Sequence, residues 1–175
     1  MNLDDLPPVE TMCEGRFVRL RKRGKWEYAS RARDISAVVI LAEYDGKVVL
    51  IDQPRVALGA RCVELPAGLV GDEDPDATVE GTAVKELEEE TGFTADRIEV
   101  IGQFFSSPGI VAEGFTLVRA HGLRRIGDGG GNEHEDIEVH FVARADIPAF
   151  VERKRAEGHA IDVKLLLLLA ADILS

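Results

Sequence analysis

The segment SAVVILAEYDGKVVLIDQ, residues 36–53, sets two β-branched apolar runs on either side of Asp45-Gly46. A turn pair of that kind between two strand-forming runs predicts an antiparallel hairpin. CVELPAG then reads as a short strand ending at Pro66. In the segment DATVEGTAVKELEEETG, residues 76–92, Val79, Ala83 and Leu87 recur at i, i+4 and i+8, a stripe suited to packing a helix on a sheet. Gly92 supplies the stop. Strand patterns return at RIEVIGQFF, FTLVRAHGL and IEVHFVAR, separated by SSPGIVAEG and by the glycine-rich IGDGGGNEHED. A helical region over about residues 147–174, interrupted near Gly158-His159, closes the chain. Upstream, GRFVRLRKRGKWEYASRAR alternates Phe17, Val18 and Leu20 with basic residues around Arg23-Gly24, which predicts a basic antiparallel hairpin. Many strands with one helix in the middle and another at the end imply a mixed α/β (α+β) sandwich. The regular βαβ alternation of a Rossmann fold is absent, as are GxGxxG and GxxxxGK[ST].

A length of 175 residues with 45% apolar and 30% charged residues fits one globular domain. Its net charge of −11 argues against nucleic acid as a partner, since that affinity comes largely from Lys and Arg on phosphates. An anionic substrate would have to be met by local arginines or a metal ion. Cys13 and Cys62 form no CxxC pair, and the amino terminus is polar, which fits reduced thiols and a cytoplasmic location. The leucine run at 165–171 is far shorter than the ~20 residues a bilayer crossing needs, so no membrane span is expected and the run reads as a buried helix.

In KELEEETGF, residues 85–93, Glu86 and Glu90 share a helix face and Glu89 lies beside them. Like charges at that spacing repel, and they crowd the helix end whose dipole disfavours them. A hard divalent cation such as Mg²⁺ or Mn²⁺ would remove that cost. Taken alone, the same residues also suit a solvated acidic face.

The longer stretch AGLVGDEDPDATVEGTAVKELEEETGF resembles the Nudix box, G-x5-E-x7-R-E-U-x-E-E-x-G-U, with Glu86, Leu87, Glu89, Glu90, Gly92 and Phe93 at the E-U-E-E-G-U positions. EGRFVRL, KWEY, QPRVALGARCVELPAG, SSPG and EHEDIEV extend the likeness to the ADP-ribose pyrophosphatase-like subgroup. Two positions depart. Read back from Gly92, the early Glu is Ala77 and the Arg is Lys85; read forward from Gly68, the loop at 70–75 is about three residues longer, with Asp74 where the Glu is expected.

The resemblance implies a Nudix-type α/β/α sandwich with a mixed β-sheet and an N-terminal antiparallel hairpin. Residues 1–34 would serve dimerisation and base binding, and 35–175 would form the hydrolase domain. It further implies metal-dependent hydrolysis of the pyrophosphate of a nucleoside diphosphate sugar, giving AMP and ribose 5-phosphate from ADP-ribose. Glu86, Glu90 and Glu89, with the Ala67 carbonyl and Glu135, would hold Mg²⁺ (or Mn²⁺). Glu133 and Glu135, in a loop whose glycines would let it close over substrate, are the general-base candidates, with Glu89 assisting and His134 a weaker candidate. Phe17 and Trp26 would sandwich adenine, Arg55 and Arg61 would contact phosphates, and Pro108 and Glu113 would mark the terminal ribose. As isolated residues, Phe17 and Trp26 equally suit hairpin packing, and Pro108-Gly109 a plain turn. A homodimer is expected. Ala77 and Lys85 keep open a nucleotide-sugar sensor with little turnover, and GDP-mannose remains an alternative substrate.

Overall fold

The computed structural model describes residues 2–33, 35–72, 74–133 and 135–169. Strands β1 (Glu10–Glu14), β2 (Val18–Arg23) and β3 (Trp26–Arg31) make a three-stranded antiparallel sheet. The predicted basic hairpin is β2–β3. The added strand β1 is exposed at all five positions, so it carries no alternating pattern to read.

The hairpin at Asp45-Gly46 joins β4 (Ser36–Tyr44) to β5 (Lys47–Arg55), but the two pair only at Glu43↔Val48 and Tyr44↔Lys47. Beyond the turn they diverge, and each takes other partners. Strand β5 pairs with β6 (Ala60–Glu64). Strand β4 pairs with β7 (Ala67–Val70), a strand where the sequence suggested only the end of its predecessor. After α1 (Val79–Thr91) and the short β8 (Phe93–Thr94) come β9 (Arg97–Phe105) and β10 (Gly114–His121), the latter running parallel to β4. The two-residue β11 (Arg124–Arg125) pairs with β8, and β12 (Glu138–Ala143) with β5. Helix α2 (Ile147–Ala156) and β13 (Ala160–Ile161), parallel to β6, follow. A 3₁₀ segment, Val163–Leu169, ends the described chain. The C-terminal helical region thus breaks at Gly158 as expected but continues as strand and 3₁₀ turn, and the predicted helix over 170–174 lies outside the described residues.

The period-2 pattern of β4 sorts its side chains onto two faces. Val38, Ile40 and Ala42 pack with Ala83, Leu87 and Phe93 of the α1 side, whereas Val39 and Leu41 pack with Ile147, Phe150, Leu165 and Leu168. One helix layer therefore covers each face of a mixed sheet, the expected α/β/α sandwich. Thr78 caps the start of α1, its Oγ1 accepting from Gly81 N–H at 3.0 Å, and Gly92 ends the helix at φ 74°. No helix among the described residues is long and apolar enough to cross a membrane.

Leu87 is fully buried at the centre of the stripe. Leu87→Ala should lower the unfolding free energy by about 2–5 kcal/mol in urea titrations, and an unchanged midpoint would mean that the stripe is not what docks α1.

Candidate active site

The divergence of β4 and β5 opens a cleft of about 890 Å³, walled by β7, α1 and the loop before β12. Glu86, Glu89 and Glu90 of α1 and Glu135 of the loop all line it, with Ala67 beneath them and Arg55 and Glu64 on the β5–β6 side. Glu86 can lie against β7 only because residue 68 is glycine; a Cβ there would overlap the Glu86 Cγ, Cδ and Oε1. Glu88 is half-buried.

Glu90 is 3% exposed and accepts a 3.0 Å hydrogen bond from the Ala67 N–H. Burial pushes its carboxyl up to about 9, and the Glu86 and Glu135 charges push the same way, against the Ala67 N–H and the Arg55 guanidinium. Glu86, Glu89, Glu90 and Glu135 line the same cleft, Glu90 buried and Glu89 and Glu135 exposed, and as hard oxygen donors they fit a divalent cation by their chemistry. A second group of acids and imidazole, Asp52, Glu138 and His140, has ligand atoms within 4.8 Å of one another. There the Lys154 ammonium already lies 2.9 Å from Asp52 Oδ2 and the Arg61 Nε 2.9 Å from Oδ1. Burial pushes the Asp52 carboxyl up, but those hydrogen bonds outweigh it and hold its pKa low, so the negative charge is matched without an ion.

The glycine-rich loop meets a need that the sequence reading did not foresee. Gly130 N–H donates to Glu90 O (2.9 Å) and Gly131 N–H to Glu89 O (3.0 Å), while Ile126 and Gly127 N–H both donate to Gly92 O. These N–H groups satisfy carbonyls that the end of α1 leaves unpaired. Gly129, Gly130 and Gly131 have φ of 71°, 107° and 82°, and a Cβ on Gly129 would sit 2.6 Å from Glu90 O. Only glycine allows both the backbone and the approach. Just beyond, Asn132 N–H donates to Glu135 Oε2 at 3.0 Å.

The other expected site residues divide. Arg55 grips Glu64 through Nε (2.6 Å) and Nη2 (2.7 Å) and stays firmly charged, chiefly through that bonding, at the cleft wall. Arg61 is not among the cleft-lining residues and bonds Asp52 and Asp136. Glu113 lines the cleft and takes a 2.5 Å bond from Arg31 Nε, whereas Pro108 and Glu133 are exposed outside it. Phe17 and Trp26 are exposed on the N-terminal sheet, with Arg16 and Lys25 over their rings. His134 lies outside the described residues. Two cleft cations were missed. Arg31 is one of many basic residues in its hairpin, and only the pairing of Ala29 with Val111 reveals its position. Lys164 stands at the head of the leucine run and bonds Asp162 at the cleft wall.

The NUDIX domain family profile matches residues 32–165. The chain belongs to the NUDIX family of hydrolases. It is 38% identical over 121 residues to an ADP-ribose pyrophosphatase of Bacillus subtilis (strain 168), covering 67% of this chain and 63% of that one. To a GDP-mannose pyrophosphatase of Cronobacter sakazakii it is 34% identical over 167 residues, covering 91% and 81%. A methanol dehydrogenase activator of Bacillus methanolicus is 31% identical over 156 residues, covering 84% and 82%. A solved structure titled as that of an ADP compounds hydrolase shares the fold at a TM-score of 0.70, with 21% identity, over 94% of this chain and 91% of that one.

In this Nudix helix, the folded Glu90 carboxyl near 9 stands above its ordinary 4.5. The folded state therefore keeps a proton that the unfolded chain releases, and the resulting stability, complete below about 4.5, is lost as pH rises through about 9. Thermal melts in EDTA should show Glu90→Gln, which cannot ionise, gaining on wild type between pH 6 and pH 9, roughly the upper part of that window. Parallel pH profiles for the two proteins would refute this account of Glu90.

Proposed function

We propose that the protein catalyses the Mg²⁺-dependent hydrolysis of the pyrophosphate bond of ADP-ribose, or of a closely related nucleoside diphosphate sugar, with AMP and ribose 5-phosphate as the products from ADP-ribose. The observation that carries this reading is the convergence of Glu86, Glu89 and Glu90 from one helix and Glu135 from a separate loop on one cleft that also presents Arg55. Glu86, Glu90 and Glu89, with Ala67 and Glu135, would hold the metal. The bound ion supplies neutralisation of phosphoryl charge and a lowered pKa for water.

The chain's own groups do the rest. Arg55, its plane fixed by the Glu64 fork, meets a phosphate oxygen, and Arg31 and Lys164 add positive charge along the same wall. Glu135 faces the cleft and takes the proton from the attacking water, a role for which Glu133 stands further out. Glu113 and Pro108 belong to one loop, stitched to β3 by the Ala29 N–H to Ile110 O bond (2.9 Å), and would border the terminal ribose. Val18 and Leu20 are exposed on one face of the N-terminal sheet and Trp26 on the other, with Phe17 exposed before β2, apolar positions suited to a second copy of the chain, which would complete the base site. This reading makes residues 1–34 the dimerisation and base-binding part and 35–175 the hydrolase part of a cytoplasmic homodimer. The similarity to GDP-mannose pyrophosphatases supports a second reading, the same chemistry on GDP-mannose.

The test is hydrolysis of ADP-ribose and GDP-mannose with Mg²⁺, followed by nucleotide product. Wild type should release AMP from ADP-ribose, and Glu135→Gln should lower kcat by about 10²–10⁴. No nucleotide product from either substrate, or equal rates for the variant, would sink the proposal.

A further inference from the structure

Arg61 spends its guanidinium on two partners that belong to different parts of the molecule. Nε and Nη2 bond Asp52 Oδ1 (2.9 Å) and Asp52 O (2.7 Å), while Nη1 and Nη2 bond Asp136 Oδ2 (2.7 Å) and Asp136 O (3.0 Å). Asp52 is fully buried in β5 and is gripped on its other oxygen by Lys154 of α2 at 2.9 Å. Asp136 is the residue after Glu135, with a side chain 78% exposed. The chain Lys154–Asp52–Arg61–Asp136 therefore runs from a core helix, through the central sheet, to one end of the acidic loop. The other end is tied by Gly130 and Gly131 to the last carbonyls of α1.

We propose that Arg61 is a positioning residue, which fixes the Asp136 end of the 130–137 loop to the sheet so that Glu135 is held facing the carboxylates of α1. The proposal deepens the pyrophosphatase reading and rests on it for its kinetic consequence. A planar fork is required, because one group must bond two backbone carbonyls and two carboxylates in fixed directions; a lysine ammonium on its flexible stem carries the charge but not that geometry. Arg61 then acts on turnover through Glu135, without touching substrate.

The test uses the full chain and three variants, Asp136→Ala, Arg61→Lys and the double variant. Asp136→Ala alters only an exposed side chain and keeps the fold. Amide hydrogen exchange at Gly130, Gly131 and Ile137 should accelerate in each variant, and kcat on ADP-ribose with Mg²⁺ should fall by about ten- to a hundredfold with KM within about twofold of wild type. The double variant should be no slower than the worse single one, since both weaken the same Arg61–Asp136 tie, Asp136→Ala through its side-chain bond alone. A raised KM with kcat intact, or full rescue by Arg61→Lys, would make Arg61 a phosphate contact and overturn the proposal. Unchanged exchange in Asp136→Ala would also overturn it. If wild type hydrolyses no nucleotide sugar, the reading of the site falls, and the exchange rates alone decide whether the tie holds the loop.

Discussion

Glu90 is a carboxyl group held at 3% exposure on the last turn of a helix, where unpaired carbonyls already concentrate negative charge. Left to itself such a group would take up a proton or turn out to solvent. Neither the Ala67 N–H nor Arg55 suffices to return its carboxyl to the ordinary range. The backbone around it relieves the negative end of the helix: Gly130 N–H covers the Glu90 carbonyl, Gly131 N–H covers that of Glu89, and Ile126 and Gly127 cover that of Gly92. The helix end is thereby made less negative without any lysine or arginine in its last turn.

That arrangement explains why the loop, the helix and β7 form one unit. The residue that accepts from Ala67 N–H also presents its own carbonyl to the loop, so Glu90 ties β7 and the loop to α1 through opposite ends. Gly68 lets Glu86 lie flat on the same strand. The cleft exists because β4 and β5 pair for only two residues each side of their turn and then separate, β4 toward β7 and β10, β5 toward β6 and β12. A sheet that splits around a helix terminus leaves a polar space bounded by rigid elements, which suits a site that must hold charge in fixed positions.

Much of this was legible in the residues. The stripe Val79, Ala83, Leu87, the Asp45-Gly46 turn and the Gly92 stop are local patterns, and local patterns survive into the fold. The long strands β9, β10 and β12 were readable for the same reason. What stayed hidden depends on pairing at long range. Strand β7 is four half-buried residues whose role comes from β4, and Arg31 reaches the cleft because Ala29 pairs with Val111. The glycine run announced a loop, but its purpose lies in the three carbonyls it meets some forty residues upstream in sequence. Arg61 followed the same rule. The resemblance implied a phosphate contact for it, and its bonds to Asp52 and Asp136 became visible only once β5 and the loop were side by side.

The two departures from the Nudix box bear on whether the site can turn over. Lys85, at the Arg position, is half exposed and sits 3.7 Å from Glu89 one turn on, a surface pair of the kind worth about 0.3–0.5 kcal/mol. Ala77 lies in the turn before the helix, its N–H donating to Asp74 O at 3.0 Å, while Asp74 Oδ1 accepts from Asp76 N–H. Asp74 thus shapes the entry to α1, and Thr78 caps it, without an early glutamate. The groups that aim Glu86 and Glu90 are Gly68, Ala67 and the glycine loop. Losing the Glu and the Arg together leaves those groups in place. A protein that only bound a nucleotide sugar would need the cleft and the helix, and it would not need a base for water held at the cleft as Glu135 is. The investment of three glycines, an arginine and a buried Lys–Asp pair in holding that one loop favours turnover over mere binding.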